Sequence, residues 1–366
     1  MSILGQRERT SIQSCDVGSL PYSGDLKRLH ESAHHLCTNS QDASAGLFEN
    51  TIVDAFIDKL KAGIQVAAFP QFRDMNDMFI SALAGLQKVK GGYVEVDHVS
   101  LKSGFSKLPE VIAIEKNVKK IADSTGIPFQ MRICITGPYT LGSFFPYRTS
   151  QTYARLGALL SEIIEDNVFA TKEGRVTLVS IDEPLFGFVD DPLIDKGTEG
   201  RESLLKAWTT MTSRVKTRKA QSCIHLHSTS DDLFWEIDLL NMIESHVADP
   251  LYEMGNTRRL LDRKDKQLKA SVAKTDFDQL IRESLGTKAS DSSIADVWYK
   301  LSRGELKPEA FLESTATMKK RLVEIINRFG EDRVVLAGPE CGLRGFPSYS
   351  SAIDCLRNAS LAVVST

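Results

Sequence analysis

The 366-residue sequence contains no run of the roughly 18 apolar residues that a membrane-spanning helix needs, so no transmembrane segment is expected. It has almost no net charge: 45 basic residues face 48 acidic ones, leaving −3. That balance gives no basis for general binding to nucleic acid or to an anionic membrane surface. Residues 1–15 lack a long apolar core and a small-residue cleavage site, so no secretory leader is expected. There is no CxxC pair. The six cysteines, Cys15, Cys37, Cys134, Cys223, Cys341 and Cys355, are scattered, which reads as reduced thiols in a cytoplasmic protein and not as a disulfide framework. Low-complexity segments and repeats with a period of roughly 20–50 residues are missing too.

What is present is an alternation. Eight short apolar, β-branched runs end in Gly, Pro or charged residues: 11–21, 64–72, 130–138, 176–184, 222–229, 247–255, 268–276 and 333–342. Between them lie helical patterns, among them 48–64, 153–174 and 311–330, the first with Ile52, Val53, Phe56, Ile57 and Leu60 at helical spacing. Strands alternating with helices predict a parallel sheet, and eight such units predict an α/β fold of the (β/α)8 TIM-barrel type over 1–366, a single domain with insertions. A doubly wound open sheet would open on a glycine-rich turn, which is absent. The extra β-like run VEVDHVSL (94–101) suits a hairpin or insertion, and the long stretches 74–129 and 277–332 leave room for one.

A barrel carries its chemistry at the C-terminal ends of its strands. There the runs collect Asp16 and Ser19; Arg73, Asp74 and Asp77; Asp182 and Glu183; His225 and His227; Glu253; Lys274 and Asp276; and Glu340 and Cys341. His225 and His227 stand at i and i+2 of a strand and face one side. An imidazole, Glu253 and Cys341 from three strand ends could meet on one zinc ion, which accepts all three ligand types. Each feature alone also fits a plainer role. Two strand histidines are often hydrogen-bonded structure, a cysteine is often a small buried residue, and Asp182 and Glu183 could cap a helix. The acids of RDMND (73–77) suit a solvated loop equally, and DVGSLP (16–21) suits either a carboxylate cradle or a simple turn.

Taken together and in order, these stretches resemble the catalytic, C-terminal half of cobalamin-independent methionine synthase. DVGSLP (16–21) is similar to that family's IGSFP, GPYTL (137–141) to GPVTI, IDEP (181–184) to IDEP, IHLH (224–227) to IHTH, and GPECGLR (338–344) to NPDCGLK. The resemblance implies a barrel in which zinc activates the thiol of homocysteine for attack on a methyl group. Position by position it implies zinc ligands at His227, Glu253 and Cys341. It places the homocysteine carboxylate by Gly18 and Ser19 and the ammonium by Asp182, with Asp77 where the family has a glutamate; Glu183, at the same strand end, reads from the residues alone as a substrate-site group that orients a neighbour.

Three positions depart from the family pattern. Thr229 stands where a ligand cysteine is expected, leaving His225, Thr229, water or substrate as fourth ligand. Lys274 stands where a proton-donating histidine is expected, and a lysine donates only if its pKa is lowered. Phe144 stands where a tryptophan lies under the folate ring. The family's full-length form also has an N-terminal barrel, with no counterpart in this sequence, so the donor is either a methyl-folate or a methyl-corrinoid protein. The expected activity is methyl transfer to homocysteine. The alternatives are alkyl transfer to another thiol such as coenzyme M, a metal-free barrel resembling uroporphyrinogen decarboxylase that would use Arg73 and Arg344 on an anionic tetrapyrrole, and a non-catalytic partner of a methyl-carrying protein.

Overall fold

Residues 11–38, 45–188 and 190–366 are described by the computed structural model; most of the stretch on which the reading of no leader rests lies outside them. Seven of the eight apolar runs contribute a barrel strand, where the backbone hydrogen-bonds to its neighbours while alternate side chains are buried on two faces. In chain order the strands are β1 (Gln13–Ser14), β2 (Val66–Ala68), β3 (Leu83–Val89), β4 (Gly92–Leu101), β5 (Phe129–Thr136), β6 (Gly174–Glu183), β7 (Gln221–Leu226), β8 (Met242–Glu244), β9 (Gln267–Ala273) and β10 (Val334–Pro339). Eight form one parallel sheet in the order β1-β10-β9-β8-β7-β6-β5-β2. A parallel bridge between Cys15 and Val66 joins its two edges, so the sheet closes as the expected (β/α)8 barrel. The extra run 94–101 pairs antiparallel with β3, making a hairpin inserted between barrel strands β2 and β5.

The three helical patterns fold as Ala45–Lys61, Ser150–Asn167 and Thr315–Phe329. The last begins later than the apolar spacing suggests, because Ser314 accepts the Thr317 N–H and sets its first turn. The second stops short of residue 174, where Gly174 already opens β6 against the Phe129 ring; a Cβ there would come within 2.2 Å of that ring. Residues 277–332 hold the helices Phe277–Leu285 and Asp291–Ser302 ahead of Thr315–Phe329.

One strand differs from the sequence reading. The sixth barrel strand is β8 at 242–244, not the run 247–255. In that run Asp249 caps a short helix, Pro250–Glu253, by accepting the Leu251 N–H, and Pro250 occupies its first turn.

Alternation divides the strands. Ile133, Ile135, Ile181, Ile224, Ile243 and Val272 join the hydrophobic core shared with the surrounding helices. Residues alternating with them, Arg132, Asp182, His225, Glu244 and Ser271, are buried and polar, as is Lys269 on β9. Burying charge is tolerated only when it is paired. Here Glu244 pairs with Arg132 at 2.8 Å and with Lys269. The six cysteines are free thiols, and no described helix is long and apolar enough to cross a membrane.

Candidate metal centre

The register of β6, β7 and β8 sets the site. Asp182 pairs with His225, and His225 pairs with Glu244, so these three form one row across the sheet. Two residues further along their chains, past the ends of β7 and β8, come His227 and His246, whose rings lie 4.1 Å apart between centroids. Cys341, just beyond β10, completes the group: its Sγ lies 3.5 Å from His227 Nε2. One ligand atom from each of His225, His227, His246 and Cys341 falls within 4.8 Å of all the others. Tetrahedral zinc with bonds of roughly 2.0–2.3 Å separates its ligand atoms by about 3.3–3.7 Å, so small rotations of these side chains would enclose the ion. Nitrogen and sulfur are the donors that zinc prefers. Both ring nitrogens of buried His225, and Nε2 of His246, have no hydrogen-bond partner. Buried polar atoms left so require an explanation, and a cation supplies one.

Carboxylates on the loops brace this group. Glu340 accepts the Val247 N–H at 2.7 Å and the Thr275 N–H at 2.9 Å, tying the segments beside His246 and after β9 to the Cys341 loop. Asp249 accepts the Thr229 N–H at 3.1 Å and the Thr229 hydroxyl, joining the β7 and β8 loops. That bond commits the Thr229 hydroxyl to Asp249, which argues against Thr229 as fourth ligand. On the opposite side Gly342 lets the Cys341 loop meet Ser19, where a Cβ would lie 1.9 Å from the serine Oγ.

The electrostatics agree with a cation site. Burial opposes ionisation of the Cys341 thiol, but the three imidazoles around it outweigh burial and hold it well below the usual thiol range. For His225, burial favours the neutral ring, yet Glu244 and Cys341 raise it to about 10. The same two anions would favour a metal cation in place of the proton. Burial lowers His227.

The structure brings together His227 and Cys341, with His225 against them and Asp182 adjacent in the sheet. It does not bring in Glu253. That residue ends the helix Pro250–Glu253, is exposed, and lines a separate depression with Tyr252, Arg321 and Arg328. His246 stands in the cluster instead. The sequence marks it only weakly because β8 is three residues long; the usable signal is the apolar pair Met242–Ile243 followed by Glu244 and His246 at alternate positions.

The remaining expected residues have other surroundings. Glu183 is fully buried and accepts the N–H groups of Tyr139 (2.9 Å), Thr140 (2.7 Å) and the Trp208 ring (2.7 Å), anchoring the turn after β5. Burial raises it to about 7 against the pull of those donors. Asp182 accepts the Ser180 hydroxyl at 2.6 Å, and burial raises it despite His225 and Arg132. Gly18 has φ +120° and gives its N–H to Asp16 at 3.1 Å. Asp77 is exposed and lines a cavity of about 480 Å3 with His30 and Arg73, which none of the four cluster residues lines. The half-buried Phe144 accepts the Tyr93 N–H at 2.8 Å through its carbonyl, fixing the β3–β4 hairpin. Lys274 pairs with Glu283. Arg73, on which a tetrapyrrole site would depend, is committed to Glu110 through two hydrogen bonds of 2.8 and 2.7 Å.

Comparison with known proteins agrees with this geometry. Residues 12–253 match the family model described as the catalytic domain of cobalamin-independent synthase. The fold superposes on a B12-independent methionine synthase from Shewanella sp. W3-18-1 in complex with selenomethionine, with a TM-score of 0.61 and 12% identity over 97% of both chains. A protein assigned as a vitamin-B12 independent methionine synthase from Listeria monocytogenes gives a TM-score of 0.58 and 13% identity over 97% of this chain and 98% of its own. At such identities the likeness to these structures shows the fold. None of the curated proteins matches the sequence.

Proposed function

The chain belongs to the family of cobalamin-independent synthase catalytic domains and is a methyltransferase, and from that premise we propose that it methylates the thiol of homocysteine at a zinc site built from His225, His227, His246 and Cys341. The observation that carries this reading is the convergence of these four donors within 4.8 Å of one another at the barrel mouth. When bound, zinc would supply the positive charge that keeps an incoming thiol deprotonated near neutral pH, and its capacity for a fifth ligand leaves room for that thiol.

The chain's own residues do the rest. Asp182 is a buried carboxylate next to His225 in the sheet, and it receives the substrate ammonium. Burial raises its pKa, so an arriving cation gains the charge interaction that water does not provide there. Ser19, half-buried against the Cys341 loop, meets the substrate carboxylate, with Gly18 allowing close approach of the backbone. Glu183 acts through the turn it anchors. Asp77 and Phe144 remain candidates for the donor side, and Lys274 for protonating a folate leaving group. A corrinoid donor needs no such acid, because reduced cobalt leaves as a stable species. Residues 1–366 work as one barrel unit, in the cytoplasm, with a methyl-corrinoid protein or a methyl-folate as donor.

The test is zinc content together with homocysteine-dependent demethylation of methylcobalamin and methyl-tetrahydrofolate, run side by side. Stoichiometric zinc with turnover of one donor is expected. Turnover that persists unchanged after complete zinc removal contradicts the reading.

A further inference from the structure

Below the four clustered donors the barrel interior holds a charged layer that methyl transfer itself does not call for. Glu244 is fully buried, and each of its oxygens is held: Oε2 by Arg132 Nη2 at 2.8 Å, Oε1 by Lys269. Arg132 is itself fixed, donating to Ser180 Oγ at 2.8 Å and to the Asp16 carbonyl at 3.2 Å, and Lys269 also donates to the Pro339 carbonyl. Two further groups face this carboxylate. The Cys223 thiol donates weakly to Oε2 at 3.9 Å, and the other is an imidazole. His225 Nδ1 lies 3.6 Å from Glu244 Oε1, just beyond the roughly 2.7–3.2 Å of a hydrogen bond, and neither ring nitrogen has another partner.

From this arrangement, and resting on the zinc site proposed above, we infer that Glu244 is a positioning residue: it takes the Nδ1–H of His225 and so turns Nε2 toward the metal. An imidazole has two nitrogens, and the one that binds a metal is decided by the hydrogen bond the other makes. Adjacent registration on β7 and β8 aligns the pair, and the gap closes with a shift of a few tenths of an ångström. Arg132 and Lys269 do two things. They keep Glu244 from swinging up to become a ligand itself, since its departure would strand two buried cations. They also keep it charged, hence an acceptor only. Metal affinity is then set from inside the barrel, through a residue that touches neither metal nor substrate.

The experiment measures zinc affinity of the full chain by competition with a chromophoric chelator, alongside the ligand-field spectrum of the cobalt(II)-substituted protein. Glu244→Gln is expected to weaken zinc by roughly 10–100-fold and to shift the cobalt bands. Introduced into His225→Ala, the same change is expected to add nothing, because its route to the metal is gone. An equal loss in both backgrounds would mean that Glu244 only supports the fold, and overturns the inference. So does wild-type affinity in folded Glu244→Gln. Should that variant not fold, Glu244→Asp keeps the charge while withdrawing the carboxylate by one methylene. Weakening by roughly tenfold or more is expected, and unchanged affinity overturns. Wild-type protein that binds no zinc sinks the site and this inference together, whereas tight wild-type binding with indifferent variants sinks this inference alone.

Discussion

Cys341 Sγ lies 3.5 Å from His227 Nε2 across 114 residues of sequence, and the contact exists because β7 and β10 end at the same mouth of one closed sheet. The proposed activity depends on that juxtaposition and on His246, which joins it from the short strand between.

His246→Ala and Glu253→Ala therefore separate the observed cluster from the ligand set that family resemblance implies. The first is expected to weaken zinc by at least about 100-fold, more than loss of an outer partner costs. The second, at an exposed position, is expected to change zinc affinity less than about twofold. Metal titration of both variants checks this; the reverse order would restore Glu253 as a ligand.

Lys274→Met is expected to leave methyl transfer from a corrinoid donor within about threefold of wild type. Its ammonium is paired with Glu283, and a donor that leaves as reduced cobalt has no need of an acid. Steady-state rates with each donor test this. A drop of about 100-fold with methyl-folate alone would give Lys274 the acid role.

The buried pairs of Glu244 predict a large stability effect. Lys269→Met strips one of its two cations from a fully buried site and is expected to cost about 3–5 kcal/mol, seen as a lower urea midpoint. A shift below about 1 kcal/mol would show that Arg132 alone suffices.

Glu183 gives stability a pH dependence of defined sign. Its folded pKa of about 7 is above the ordinary 4.5. Between these values the folded state holds more protons than the unfolded one, so this group's contribution is full below 4.5 and is lost as pH rises through 7. Glu183→Gln removes that slope but puts an amide N–H against a backbone N–H, costing about 1–3 kcal/mol. The stability gap between wild type and variant is expected to narrow from pH 5 to pH 7.5 in urea titrations. A gap that widens or stays constant would contradict the sign.

Much of the barrel was legible because each long run, such as 130–138 or 176–184, had enough apolar residues to declare itself a strand whatever its neighbours. His225, His227 and Cys341 were legible for the same reason, lying at or just past the ends of such runs. β8 was not. Its three residues pair with β7, and two of them with β9, only because those strands are already there, and nothing local records that. A strand placed on the run 247–255 makes Glu253 its polar end and leaves His246 outside it. The interior layer was hidden for a different reason: Arg132, Glu244 and Lys269 sit within or at the end of apolar runs, and a charged residue there gains meaning only when the sheet closes and creates an inside. At a strand end beside Asp182, Glu183 reads as a substrate-site group, but its partner Trp208 lies on a helix whose packing the sequence does not state.

X-ray absorption at the zinc edge tests the central claim most directly. The account predicts one zinc per chain, with a single sulfur at about 2.3 Å and nitrogen ligands at about 2.0–2.1 Å, the sulfur disappearing in Cys341→Ser. Protein that binds no zinc, or a zinc shell made of oxygen with no sulfur, would contradict it.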